Sequence, residues 1–120
     1  MRYARLYHEG LGGLPGLITP PFREDGSHVY NYVPIQYRDR AALVRWVMQH
    51  RRDMAVQHLK NCASLPAFAQ EHRDCPDAEA TAAQTILLPN YPAYGEDEVR
   101  RNIAVIRRFF AEEPRRRGRA

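Results

Sequence analysis

The sequence predicts an α/β chain of the α+β kind: a small, mostly antiparallel sheet covered by helices. Stretches with apolar residues every three or four positions alternate with short runs of period two or unbroken apolar residues, in the order helix, strand, helix, strand, helix, strand, helix. Breakers punctuate that alternation at Gly12-Gly13, Pro20-Pro21, Pro66, Pro76 and Gly95. No internal repeat is present. A chain of 120 residues makes one domain, large enough to bury about two-thirds of its unfolded surface.

Residues 2–9 read as the last turns of a helix ended by Gly10 and Gly12-Gly13. Leu14-Pro15-Gly16 through Pro20-Pro21 is a connection. From His28 to Tyr37, Val29, Val33 and Ile35 alternate with Tyr30, Tyr32 and Gln36, as in a half-buried strand. Pro34 cannot donate to a ladder, so an edge position or a bulge is expected. Asp39 is a good N-cap for a helix that sets Leu43, Val44, Val47 and Met48 at helical spacing, with Trp46 on its flank, and ends near Arg51.

Met54 to Leu59 reads as a short strand, and Leu65 to Glu71 as one or two helical turns. Pro76 suits the first position of a helix whose positive end Asp77 and Glu79 complement, which places a helix at 76–84. Thr85 to Leu88 is a third strand. In the last segment Gly95 precedes three acids, Val99, Ile103, Ile106 and Phe110 repeat at helical spacing, and arginines fill the final turns. The expected organisation is one domain over 1–113, with 1–22 as a lead-in helix and connection. Residues 114–120 are expected to be a disordered basic tail set off by Pro114.

Composition excludes several classes. No apolar run approaches the roughly 20 residues that span a bilayer. The start of the sequence lacks the apolar centre of a secretory signal, so a cytoplasmic location and no membrane partner are expected. The net charge of +4 resides in the tail arginines, Arg115 to Arg117 and Arg119. A neutral body does not offer the basic, aromatic-studded face of a nucleic-acid binder.

His58, Cys62, His72 and Cys75 are the metal-ligating residue types, but the only close pair is His72 with Cys75, and zinc sites favour tighter pairs. No metal is expected. Cys62 as a nucleophile activated by His58 lacks a third group to orient the base, so no catalytic residue is assigned. The glycines at 10, 12, 13 and 16 follow a helix instead of opening one and make no phosphate loop. His28, Tyr30 and Tyr32 would share one strand face; three rings in a row either line a cleft or pack across strands, and packing is the favoured reading.

The ordered series of pieces resembles the C-terminal small domain of the DegT/DnrJ/StrS-type sugar aminotransferases. Leu14-Pro15-Gly16-Leu17 with Pro20-Pro21 is similar to the exit from the large domain, and Ser27-His28-Val29-Tyr30-Asn31-Tyr32 to the first small-domain strand. Arg52 to His58 and Asn61 to Phe68 follow as a strand and loop. Cys75-Pro76-Asp77-Ala78-Glu79 and Leu87-Leu88-Pro89-Asn90-Tyr91-Pro92 close the pattern. Gln57-His58 and Asn61-Cys62-Ala63 depart from the family's usual His-Tyr and Pro-Leu-His.

The resemblance implies the fold of the small domain of aspartate-aminotransferase-like enzymes, which act as dimers. It also implies pyridoxal phosphate for the complete enzyme, and transfer of an amino group, usually from glutamate, to a keto-sugar carried on a nucleotide. The Schiff-base lysine belongs to the large domain, which this chain does not resemble. Lys60 is the only lysine and lies in the small-domain loop, where an exposed surface lysine is expected. The chain is therefore expected to bind no cofactor and to be inactive by itself, a truncated or split piece whose partner is a large domain or its own copy. His28, Tyr30, Tyr32, His58 and Asn61 are the candidates for approaching a nucleotide-sugar substrate if the enzyme is complemented. An interaction or regulatory module that kept the fold and lost the chemistry is the alternative.

Overall fold

The computed structural model describes residues 1–56, 60–71 and 73–117. Helix α1 (Arg2–Leu11) leads to β1 (Leu17–Ile18), β2 (Tyr32–Tyr37) and α2 (Arg40–Gln49). Two 3-10 segments, Cys62–Ser64 and Pro66–Glu71, precede α3 (Pro76–Gln84) and β3 (Thr85–Pro89). A 3-10 turn at Pro92–Tyr94 leads into α4 (Glu96–Arg117). The three strands form an antiparallel sheet in the order β1-β2-β3, the architecture expected from the sequence.

β2 is the central strand, and its proline is tolerated for a geometric reason. Leu87 exchanges both backbone hydrogen bonds with Ala55, each 2.9 Å, so its polar groups face away from β2. Leu87 opposite Pro34 is then a non-hydrogen-bonded pair, and the proline nitrogen faces the β1 side. β1 reaches only Gln36 and Tyr37, so no donor is missed there. The edge position expected for this strand is corrected to a centre whose neighbour stops short.

The expected strand at Met54 to Leu59 is, in its described part, the single bridge at Ala55; Gln57, His58 and Leu59 lie outside the described residues. The missing strand is made up by β1, within the expected connection. It is two residues long, too short for a period to show.

One sheet face carries Val33, Ile35 and Tyr37 with Ile86 and Leu88, and the helices cover it. Tyr7 and Leu11 from α1, Leu43 and Val47 from α2, and Val99 and Ile106 from α4 are almost fully buried. Removing this apolar surface from water stabilises the fold at about 25 cal/mol per Å². α1 continues through Gly10 instead of ending there. A Cβ on Gly10 would sit 2.7 Å from Ile103 Cγ2, so this glycine sets the close approach of α1 to α4. α1 is part of the core and not merely a lead-in.

Asp39 caps α2 as expected, its carboxylate accepting from the Ala42 N–H at 3.0 Å. The flank assignment reverses: Trp46 is buried and Met48 is 62% exposed. Trp46 turns inward because its indole N–H reaches the Val105 carbonyl at 2.9 Å and its ring meets Phe109. α3 has the expected limits. α4 runs through Pro114 to Arg117, past the point where a separate tail was expected.

Candidate functional site

The four described candidates, His28, Tyr30, Tyr32 and Asn61, do not form one surface. Tyr30 precedes β2 and has a left-handed backbone, φ +48°, which ends the alternation expected from His28 onward. The shared face of His28, Tyr30 and Tyr32 is thereby corrected. Tyr30 is buried, at 7% exposure, whereas Tyr32 is 39% exposed and paired across the sheet with Pro89. Val29, assigned to the inner face by the same alternation, is 88% exposed.

A left-handed tyrosine is costly and persists only where its surroundings determine it. Four groups do so here. The Asn90 side-chain amide donates to the Tyr30 carbonyl, and the Tyr30 N–H donates to His28 Nδ1 at 2.9 Å. The Tyr30 hydroxyl accepts from the Arg23 N–H at 2.5 Å and donates to the Arg23 carbonyl at 3.2 Å. Phe22 stacks on the Tyr30 ring with centroids 5.1 Å apart. The phenol is thus committed to closing the 23–30 loop. His28 remains exposed, its ring 4.2 Å from that of Tyr30. Because Nδ1 accepts the Tyr30 N–H, the neutral ring carries its proton on Nε2.

The loop is tightened at its tip by Asp25, whose carboxylate accepts from the Ser27 N–H at 3.0 Å; hydrogen bonds from the Ser27 side chain and backbone hold its pKa below the ordinary value. Beneath the loop lies a cavity of about 200 Å³ between α1 and β2. Ala4, His8, Phe22, His28, Tyr30 and Ile35 are among its walls. Phe22 and His8 were not singled out from the sequence. A phenylalanine directly after Pro20-Pro21 was the available signal.

Asn61 lies elsewhere. Its carbonyl oxygen accepts from the Ala63 N–H at 3.1 Å, and its amide donates to Glu79 at 3.0 Å and Ser64 at 3.1 Å. Ser64 also donates to Glu79, at 2.8 Å, so Asn61 ties the 3-10 turn to α3. It borders a shallow cleft of about 500 Å³ with Lys60, Cys62, Asp77 and Thr81. Lys60 is exposed, as expected. His58 and His72 lie outside the described residues. Cys62 and Cys75 are free thiols, and among the described residues no three His, Cys, Asp or Glu side chains converge as a metal site. No described helix is long and apolar enough to cross a membrane.

A buried polar tie joins α1 to α4. Asn102 donates to the hydroxyls of Tyr7 at 3.0 Å and Tyr94 at 2.9 Å. Burial raises the pKa of both phenols, so they are neutral at physiological pH. At the start of α4, Glu96 pairs with Arg100 and Arg2, and Glu98 with Arg52 and Arg101. Hydrogen bonds from Arg100 and Arg52 respectively hold these carboxylates below their ordinary pKa.

Comparison with known proteins agrees with this architecture. Among solved structures, DesV of S. venezuelae, determined in complex with a ketimine intermediate, superimposes with a TM-score of 0.84 at 26% identity, over 91% of this chain and 30% of that one. The sugar aminotransferase CalS13 of Micromonospora echinospora has a TM-score of 0.78 at 20% identity, covering 88% and 28% of the two chains. DesI, studied in the presence of its TDP-sugar product, gives 0.80 at 24% identity over 99% and 33%. The chain thus spans about a third of the length of these structures. No curated protein sequence matches it. The model of the DegT/DnrJ/EryC1/StrS aminotransferase family matches residues 1–107, and the chain belongs to that family.

Proposed function

We propose that this chain is the C-terminal domain of a cytoplasmic, pyridoxal-phosphate-dependent nucleotide-sugar aminotransferase and that it requires a large domain to act. The observation that carries this reading is the coverage: 91% of this chain matches only 30% of DesV. The residues of this chain do not fit a pyridoxal phosphate site. Its one lysine is exposed on a shallow cleft, and among the described residues no enclosing, oriented groups would hold a cofactor against it. When bound in the complete enzyme, the cofactor supplies the electron sink for amino transfer, and the lysine that carries it comes from the large domain.

Of the described candidates, His28 and Tyr32 remain to face a nucleotide-sugar substrate. Tyr30 and Asn61 position their loops, because their polar groups are already bonded within the chain. His28 offers Nε2–H as a donor to a hydroxyl or phosphate oxygen. Assembly with a large domain in a homodimer completes the site.

The test is to titrate the purified chain with pyridoxal phosphate, then to repeat the titration and a glutamate-to-keto-sugar amino-transfer assay after co-expression with a large domain of the family. The expected result is no lysine-dependent absorption band and no turnover alone, with turnover appearing on complementation. A band from the isolated chain that disappears in Lys60→Ala would refute the reading.

A further inference from the structure

The cavity under the 19–30 loop shares only His28 with the transamination reading, which leaves its ring-lined interior without a role. Its chemistry is distinctive for a surface loop. Ala4 and Tyr7 from α1 and Val33, Pro34 and Ile35 from β2 supply an apolar floor, while Phe22, Tyr30, His8 and His28 bring four rings to the walls. At about 200 Å³ it exceeds the roughly 150 Å³ that suffices for an apolar cavity to take benzene.

The walls are fixed before any ligand arrives. Tyr30 is held through its carbonyl, its N–H and both functions of its hydroxyl, and Phe22 is stacked against it. The Arg5 guanidinium lies 5.5 Å from the centre of the Phe22 ring and also pairs with Glu24 at 3.1 Å, anchoring the outer side of the loop to α1. A preformed site loses little entropy on binding. The polar groups on its lining include His8, Thr19, Arg23 and His28. Of these, His28 accepts the Tyr30 N–H at Nδ1, which leaves the Nε2–H of the neutral ring as its donor.

We propose that this cavity binds a small planar aromatic ring bearing a hydrogen-bond acceptor, with the ring among Phe22, Tyr30 and His8 and its acceptor at His28 Nε2–H. Planarity matters because aromatic walls favour edge-to-face and offset-stacked partners over a puckered ring of equal size. The cavity shares His28 with the proposed substrate reading: a nucleoside base bound here would rest on that reading, whereas a free phenol-like ring would stand without it. The ring arrives either as a free phenol-like molecule or as the base of a nucleoside.

The test uses the full chain and ligand-observed NMR with phenol, thymidine and cyclohexanol as probes. At least one of the two ring probes is expected to bind about fivefold tighter than cyclohexanol, the size of one aromatic contact. Binding by phenol identifies a free ring, and binding by thymidine a nucleoside base. Phe22→Leu should abolish the preference over cyclohexanol. His28→Asn, whose side-chain oxygen can still accept the Tyr30 N–H, should weaken ring binding about fivefold while circular dichroism verifies the fold. The proposal is overturned if neither ring probe binds, if cyclohexanol binds as well as they do, or if binding is indifferent to both substitutions.

Discussion

The half of the molecule made by α1, α4 and the sheet differs sharply from the half made by the 3-10 turns and α3. The first buries large side chains from every element and ties α1 to α4 through Asn102. In the second, neither the 3-10 turns nor α3 buries a described residue; among the described contacts that fasten it are those of Asn61, Ser64 and Glu79, and of Arg40, whose guanidinium donates to the Ala82 carbonyl at 2.6 Å. A cluster of interior contacts resists local opening, whereas a segment held by a few surface hydrogen bonds opens at lower free energy. The candidate residues divide the same way, His28 and Tyr30 on the packed half and Asn61 on the lightly held one.

The contrast breaks first if core truncation is tolerated. Ile86→Ala should cost about 2–5 kcal/mol in urea unfolding, against about 1 kcal/mol for Ala80→Gly on the exposed face of α3. Equal costs would mean that α3 contributes to the core after all. Next, Asn102→Ala strands two phenol hydroxyls and should cost about 1–3 kcal/mol; adding Tyr7→Phe should recover part of the loss, and a strictly additive double mutant would deny the tie.

Glu79→Ala should lower global stability by only about 0.5 kcal/mol while the amides of Ala63 and Ser64 exchange severalfold faster. A melting temperature lowered as far as by Asn102→Ala would merge the two regions into one cooperative unit. The smallest effect is with pH. Glu96 and Glu98 titrate below their ordinary 4.5 when folded, so their stabilisation is present above that value and is lost as pH falls through the lower folded range. Melting followed from pH 6 to 3 should show this loss, diminished in Arg52→Ala and by added salt.

What could be read from the sequence was local. Pro76 with Asp77 and Glu79 defines the start of α3, Asp39 caps α2, and the acids after Gly95 open α4, because each acts within a turn of its own backbone. Misread positions depend on distant partners. Trp46 turns inward toward a carbonyl 59 residues away, and Tyr30 is left-handed because of an amide 60 residues away and a loop that folds back on it. No local period carries that information. For the site, His28 was legible as a polar ring beside tyrosines, but the cavity behind it depends on Phe22 and α1, which only the tertiary fold assembles.

Gly10 against Ile103, the buried amide of Asn102 on Tyr7 and the Arg107 guanidinium on the Gly10 carbonyl fasten α1 to α4 at two places on α1, Tyr7 and Gly10. Mechanically, α1 is then a handle and not a hinge. A torque applied at its first turn would rotate α4 and the sheet with it, and Tyr32 on β2 would follow.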